Sequence, residues 1–351
     1  MSVDFESLSF KDRQITNSNG DVLTSSLGLD YALRTTSAIR AEVVKQAYYE
    51  VPIADFFPVK MGTGAWLEDI KTNQEMILSG PFERGIISLS SPRSQAPTVD
   101  VALSPKTTAL AKWRFDYTYS IPEIKQALAS NNWDLIRARM EGLKKVSDLG
   151  LQKLGFLGLQ GNTTSFPGLL TSPEVTVDTT TITESLSTMA LADLSAFVAA
   201  VMGVYFDNAN GTALPNTFVI PMTDYLGLGT LLSTAGASAV SRLEFLRKAF
   251  AEITQNPKFE IRGLKYGDAA SNALFLNSGS GINRYCLYHN PDVDTTPATE
   301  FAVAMDLPVP FFLNPAQTAN NWDFVGIGAM QFSGCHFYRP RTAIYFDRAA
   351  A

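Results

Sequence analysis

Residues 121–175 of the chain read IPEIKQALASNNWDLIRARMEGLKKVSDLGLQKLGFLGLQGNTTSFPGLLTSPEV. From residue 133 onward, mostly apolar residues recur every three or four positions, which is the spacing of one face of an α-helix. The positions on this face are Trp133, Ile136, Met140, Leu143, Ser147, Gly150, Leu154 and Leu157. The pattern predicts a helix of about 25 residues, roughly 37 Å long, with this face buried.

The two ends of this helix also have recognisable signals. Asn131 and Asn132 are good N-cap residues, and Asp134 follows in the first turn, where the helix dipole favours negative charge. Gly158 and Gly161 end the helix, before a polar turn and the segment PGLLTSPEV. Three glycines within the helix each lower helix propensity by about 1 kcal/mol, and close packing of another backbone is one reason for a helix to tolerate them. They are Gly142, Gly150 and Gly155.

Composition describes a folded chain with few charges. Of the 351 residues, 46% are hydrophobic and 18% charged, which excludes a disordered protein. The longest apolar run, residues 197–206, is shorter than the roughly 20 residues of a membrane helix. The polar, acidic N-terminus does not resemble a secretory signal, and two cysteines are too few for a disulfide framework. The sequence therefore predicts folding in a cytoplasm.

The charge distribution is uneven, although the net charge is only −6. Between Leu154 and Ser241 there is no Lys, Arg or His. Acidic residues in this block account for the whole net charge, and we expect them to form a solvated surface. They are Glu174, Asp178, Glu184, Asp193, Asp207 and Asp224.

Residues 60–120 have the pattern of a β-hairpin with a long tip. Aromatic residues at 113, 115, 117 and 119 alternate with polar ones, which predicts a half-buried exit strand. Between the arms, residues 79–106 contain four prolines and scattered serines. A connection this long without its own core commonly serves binding.

The remaining segments are an arm, an α/β region and a strand-rich end. Residues 1–30 lack periodicity and are predicted to order only on a partner, and residues 31–49 are predicted to be helical. Further on, helices are expected over 190–206 and after a capping box at Ser241 and Glu244, and strands at 218–221, 259–261 and 284–288. Residues 320–346 are expected to form a pair of strands that covers the long helix.

The order of these features resembles the major capsid proteins of tailed phages, whose Hong Kong 97-type fold encapsulins share. The long helix with its glycine-rich turn carries the first part of the resemblance, and the C-terminal run carries the second. Its matching positions are Pro291, Asp292, Pro308, Pro310, Phe311, Pro315, Gln317, Gly334, Pro340 and Ile344.

The resemblance implies an α+β fold with named parts. These are an N-terminal arm and short helix (1–59), an E-loop hairpin (60–120), a peripheral domain with the spine helix (121–180 and 319–351) and an axial domain (181–318). In relatives the E-loop lies across a neighbouring subunit. We therefore expect contacts between subunits from charged residues of the loop and spine. They are Arg84, Arg93, Lys106, Arg137 and Arg139.

No catalytic or metal-binding constellation is found in the sequence. Cys335 and His336 are neighbours in a predicted strand, so their side chains point to opposite faces. A phosphate-binding glycine motif is absent, and Asp292 with Asp294 supplies only half of a calcium loop. We therefore expect no enzyme activity, no cofactor and no metal.

The resemblance implies a major capsid protein that self-assembles through pentamers and hexamers into an icosahedral head shell around double-stranded DNA. Its partners would be its own copies, with scaffold, portal and decoration proteins as further candidates. Packaged DNA would be enclosed without sequence-specific binding, and no membrane is involved. The protein would reside in the virion after assembly in the host cytoplasm. The alternative is an encapsulin-like compartment that encloses a cargo enzyme.

Overall fold

A computed structural model describes residues 47–78, 99–131, 134–230, 240–276, 281–293, 302–320 and 322–350. Within these ranges the helices are α1 (Ile121–Asn131), α2 (Leu135–Leu157), α3 (Leu191–Ala209), α4 (Met222–Gly227), α5 (Arg242–Thr254) and α6 (Ala269–Leu276). The strands are β1 (Val59–Met61), β2 (Asp69–Leu78), β3 (Asp100–Ala109), β4 (Ala111–Ser120), β5 (Thr176–Asp178), β6 (Thr217–Pro221), β7 (Glu260–Leu264), β8 (Ile282–Tyr288), β9 (Val303–Leu307), β10 (Val309–Leu313), β11 (Gln317–Thr318), β12 (Asp323–Phe332), β13 (Cys335–Phe337) and β14 (Ala343–Ala349).

Helix α2 is the long helix that the sequence predicts, but its cap is different. The carboxylate of Asp134 accepts a hydrogen bond of 3.0 Å from the backbone N–H of Arg137, so Asp134 is the N-cap. Asn131 instead ends α1, and Asn132 lies outside the described residues. An aspartate cap satisfies a free N–H and places negative charge at the positive end of the helix dipole.

The glycines of α2 do not share the role predicted for them. A β-carbon at Gly142 or Gly150 would meet no atom within 4 Å, and Gly150 is exposed. Only Gly155 is closely packed, with the Phe57 ring 3.2 Å from the position of an added β-carbon. Close packing of another backbone therefore does not explain these glycines. The buried residues of α2 lie mainly in its C-terminal half, where Phe156 makes an edge-on contact with Phe56 at 5.0 Å.

The turn after α2 brings backbones into direct contact. Gly158 has a φ of 75°, and a β-carbon there would lie 2.4 Å from the carbonyl oxygen of Phe166. Across the turn, a β-carbon on Gly168 would lie 2.4 Å from the nitrogen of Gly158. The backbone N–H groups of Leu169 and Leu170 donate to the last turns of the helix, at 2.8 and 3.0 Å. The predicted end of the helix at Gly158 is thus confirmed.

A five-stranded sheet, in the order β5-β14-β8-β6-β7, separates two hydrophobic cores. Alternate residues of β6 point to opposite cores, since Phe218 and Ile220 join one core and Val219 the other. The first core contains α3 and α5, and the second contains the end of α2 with β9, β12 and β13. Burial on both faces explains why β6 is continuously apolar. The strands predicted at 218–221 and 284–288 are confirmed, as is the Ser241 cap of α5.

The hairpin predicted over residues 60–120 is formed by β2 and β3, and the aromatic strand predicted as its exit arm belongs to another sheet. Strand β2 pairs with β3, in register from Asp69 opposite Ala109 to Leu78 opposite Asp100. Residues 100–106, predicted to belong to an irregular tip, are therefore strand, while residues 79–98 lie outside the described part of the chain. The aromatic strand is β4, which is half-buried as predicted but pairs with β12, from Ala111 opposite Phe332 to Ser120 opposite Asp323.

The predicted pairing of strands within residues 320–346 is also wrong. Strand β12 lies between β4 and the short strands β10 and β11, whereas β14 pairs with β8 and β5 in the five-stranded sheet. Strand β12 packs on α2 at Gly328, which leaves room for the Leu143 side chain, and the short strand β13 also contacts α2. The arm at 1–30 lies outside the described residues. So does most of the helix predicted at 31–49, whose residues 47–49 are not helical.

Candidate assembly surfaces

The outer part of the β2–β3 hairpin presents an unpaired apolar face. Val99, Val101 and Leu103 alternate along it and are 67%, 51% and 66% exposed. Residues two apart on a strand share one face, so these side chains form a single row. Three large aliphatic residues in a row at the surface mark an interaction site more than an isolated exposed residue does.

The inner part of the hairpin is fastened to the body. The side-chain amide of Gln74 donates to the carbonyl oxygen of Tyr338 at 2.9 Å. From the opposite strand, the ammonium of Lys106 donates to the carbonyl oxygen of Phe337 at 2.8 Å and forms an ion pair with Glu174. The exposed row begins beyond these contacts. The hairpin therefore has a fixed base and an outer part that buries little on its own chain.

A second exposed apolar group surrounds the start of the hairpin. Trp66 and Leu67 are 53% and 56% exposed, although their backbones are held firmly. The side-chain amide of Gln331 accepts from the N–H of Trp66 and donates to the carbonyl oxygen of Leu67, each at 2.6 Å. The Trp66 ring meets Phe312 edge-on at 6.1 Å. The loop thus holds an indole at the surface in a fixed position.

The charged residues predicted to contact other subunits have partners within their own chain where the structure describes them. The guanidinium of Arg137 forms an ion pair of 2.9 Å with Glu141, one helical turn along α2. The guanidinium of Arg139 lies 3.2 Å from the carboxylate of Glu123 and also donates to the carbonyl oxygen of Thr118. Lys106 belongs to the hairpin base. Arg84 and Arg93 lie outside the described residues.

Sequence reasoning missed the exposed apolar row and Trp66. Alternation at residues 99, 101 and 103 was the available signal, but the four prolines of the surrounding segment concealed it. Reasoning from charge also misplaced Asp224, one of the six residues expected on a solvated acidic surface. It is buried, accepts a hydrogen bond of 2.6 Å from Ser185, and lies 3.2 Å from the guanidinium of Arg348.

Both cysteines and His336 are buried. Burial raises the pKa of both thiols, Cys286 and Cys335, so they are protonated at neutral pH. Burial, with a smaller contribution from Lys106, lowers the pKa of His336 to about 4. Among the described residues, no three His, Cys, Asp or Glu side chains are placed to hold a metal ion. None of the helices described is long and apolar enough to cross a membrane.

Comparison with protein families gives a match over most of the chain. Residues 89–348 match a family model described as "Major capsid protein". The chain belongs to the major capsid protein family. This capsid protein is thus a structural protein that forms a shell with its own copies. A search among curated proteins found no match.

Solved structures show that the fold of this capsid protein is shared with phage capsids. "The capsid of Myoviridae Phage XM1" is 14% identical, with a TM-score of 0.70, and the match covers 90% of this chain and 97% of that one. The structure titled "Mycobacterium phage Adephagia" is 11% identical, with a TM-score of 0.55, over 92% and 98% of the two chains. The structure titled "Mycobacterium phage Ogopogo" is 12% identical, with a TM-score of 0.53, and the match covers 91% of this chain and 98% of that one. The predicted Hong Kong 97-type capsid fold is therefore confirmed.

Proposed function

We propose that this capsid protein assembles through pentamers and hexamers into the icosahedral head shell of a tailed phage, around double-stranded DNA. The family match gives the capsid role, and the likeness to phage XM1 supports a phage head. The observation that carries the proposal is the hairpin β2–β3, whose apolar row is left exposed by its own chain. Apolar surface of this kind is buried when copies associate, and closed symmetry then adds many modest contacts.

The division of the subunit into an axial and a peripheral domain is part of this proposal. A core with α3 and α5 on one side of the five-stranded sheet, and one with the end of α2 on the other, supports two such regions. Both cores also take residues from across the expected boundaries, such as Ile344 in the first and Val303 in the second. The hairpin would lie on a neighbouring subunit, with Arg84, Arg93, Lys106, Arg137 and Arg139 as further candidates for contacts. The protein would act in the virion, after assembly in the host cytoplasm, without catalysis.

DNA inside the shell would be enclosed without sequence-specific binding. The block from residue 155 to 240 contains no basic residue, and Glu184, Asp193 and Asp207 are exposed on it. Such a surface repels phosphate groups, so it would not hold packaged DNA in place. Scaffold, portal and decoration proteins remain candidate partners. A shell around a cargo enzyme is the other use of this fold, and no particular contact in this structure favours it.

The test is assembly of the purified protein. We expect particles at megadalton size by light scattering and closed shells in electron micrographs. The variant Val101→Ser/Leu103→Ser should remain folded, because these side chains are exposed, but should form far fewer shells. The matched control Leu226→Ser/Leu274→Ser removes two exposed leucines away from the hairpin. A wild-type protein that stays monomeric across salt and concentration would overturn the proposal.

A further inference from the structure

An apolar cleft of about 280 Å³ lies between helix α2, strands β4 and β12, and helix α6. Val146 and Leu159 line it and are 50% and 42% exposed, so the described part of the chain leaves the cleft open. A protein cavity of about 150 Å³ accepts a benzene ring. This cleft therefore has room for a larger aromatic side chain.

Trp66 is held at the surface by a strained backbone. Its φ is 64°, in the left-handed region, which is rare for a bulky residue. The hydrogen bonds that impose this conformation come from Gln331, a fully buried side chain. Strained positions persist only where surrounding contacts impose them, and they are concentrated at functional sites. The fold thus presents an exposed indole in a fixed position, which lowers the entropy lost when a partner buries it.

Trp66 and the cleft lie on opposite faces of the sheet formed by β4 and β12. Met330 and Phe332 of β12 line the cleft, as does Trp113, directly opposite Met330 on β4. Gln331 lies between Met330 and Phe332, so its side chain points to the other face, where it holds Trp66. A projection on one face and a recess on the other suit a head-to-tail contact between copies, which closes into a ring when it is repeated.

We propose that Trp66 of one copy inserts into this cleft of an adjacent copy within the rings of the shell. The rings of Phe275 and Phe332 in the cleft can contact an indole edge-on or offset. The ammonium of Lys153 lies 5.2 Å from the centre of the Phe275 ring, and tryptophan is the best aromatic partner for such a cation. The side chain of Gln160, also in the lining, has a carbonyl oxygen that can accept the indole N–H. The inference rests on the proposed function, since the second copy belongs to the shell.

The direct test is a cryo-electron microscopy map of the shell that resolves side chains. We expect the Trp66 ring of one copy within about 4.5 Å of Phe275 or Phe332 of its neighbour. An indole that lies anywhere else, or a cleft filled by another segment such as residues 1–46, would overturn the inference. Those results would leave the proposed function intact, because it fails only if no shell forms.

A variant that fills the cleft separates assembly from folding. Gly150 lines the cleft, and a β-carbon there meets no atom within 4 Å, so Gly150→Leu places a side chain in the space for the indole. Leucine also favours a helix more than glycine does, so the unassembled subunit should unfold at or above the wild-type temperature. Shells should need at least about tenfold more protein to form.

The matched control for the filled cleft is Gly142→Leu. It makes the same change at another open position of α2, outside the cleft, and should assemble at the wild-type concentration. Light scattering over a protein dilution series measures the concentration at which shells form. Normal assembly of Gly150→Leu, or an equal loss in the control, would contradict the inference.

Removal of the indole gives the complementary test. The variant Trp66→Gly lacks the inserted group and adopts a φ of 64° without strain, so the unassembled subunit should unfold within about 2 °C of wild type. Its shells should also need at least about tenfold more protein. The double variant Trp66→Gly/Gly150→Leu should lose little more than either single variant, because both changes remove one contact. Losses that add in full, or normal assembly of Trp66→Gly, would show that the two sites do not meet.

Discussion

The guanidinium of Arg284 and the carboxylate of Asp347 form two hydrogen bonds of 2.6 Å between adjacent strands. The residues lie directly opposite each other in the β8–β14 ladder, and both are buried. Arg284 also donates to the carbonyl oxygen of Leu170 at 2.7 Å and lies over the Tyr345 ring. One buried cation therefore joins the five-stranded sheet to the turn that follows α2.

Removing the carboxylate should destabilise the fold strongly. The variant Asp347→Ala leaves a buried guanidinium without its counter-charge, which typically costs about 3 to 5 kcal/mol. Urea denaturation of the unassembled subunit measures the loss. The double variant Arg284→Met/Asp347→Leu should lose less, because no charge remains uncompensated. A loss below about 1 kcal/mol in Asp347→Ala would show that the pair is solvated.

Alanine at the turn glycine should prevent proper folding, whereas alanine within α2 should help. The variant Gly158→Ala places a methyl group against the Phe166 carbonyl at a φ of 75°, so we expect insoluble protein. The variant Gly150→Ala meets no atom within 4 Å and should stabilise by up to about 1 kcal/mol. Soluble yield and thermal unfolding compare the two. Equal behaviour of both variants would contradict the geometry of the turn.

Acid should weaken the subunit through His336. Its pKa lies near 6.5 in the unfolded chain and about 4 in the fold, so the unfolded state binds the proton more readily between these values. The stability is thus complete above about pH 6.5 and is lost as the pH falls towards 4, by about 2.5 kcal/mol at pH 4.5. Between pH 7.5 and 4.5, the unfolding free energy of wild type should fall by about that much more than the unfolding free energy of His336→Gln. Parallel pH profiles would contradict this prediction.

The ion pair between Arg137 and Glu141 should contribute little to the folding stability of the isolated subunit. Its side chain is 76% exposed and pairs with Glu141 along the helix, a geometry typically worth under about 0.5 kcal/mol. The variant Arg137→Gln should therefore unfold at the wild-type urea concentration. The assembly yield then reports on the expected role of Arg137 between subunits. A yield equal to wild type would remove Arg137 from the candidates.

Local features of the fold were predictable because their signals lie in neighbouring residues. Periods of about 3.6 and of two positions show helix α2 and strand β4, and side chains next to a helix end show its cap, as at Ser241. The candidate assembly surfaces were harder to predict from the sequence. The exposure of Val101 and of Trp66 depends on which distant segments cover them, and single-sequence patterns do not contain that information.

Short-range patterns in the sequence were enough to predict helices α2, α3 and α5, strands β4, β6 and β8 and the glycine turn after α2, and its ordered motifs resembled one fold. Which strands pair became clear only from the folded chain: β4 with β12, β2 with β3, and β14 with β8. Tertiary packing also buried Asp224 beside Arg348 within a block expected to be solvated. The physical reason is that pairing and burial are set by hydrogen bonds and apolar contacts between residues far apart in the chain, whereas periodicity is set by neighbours.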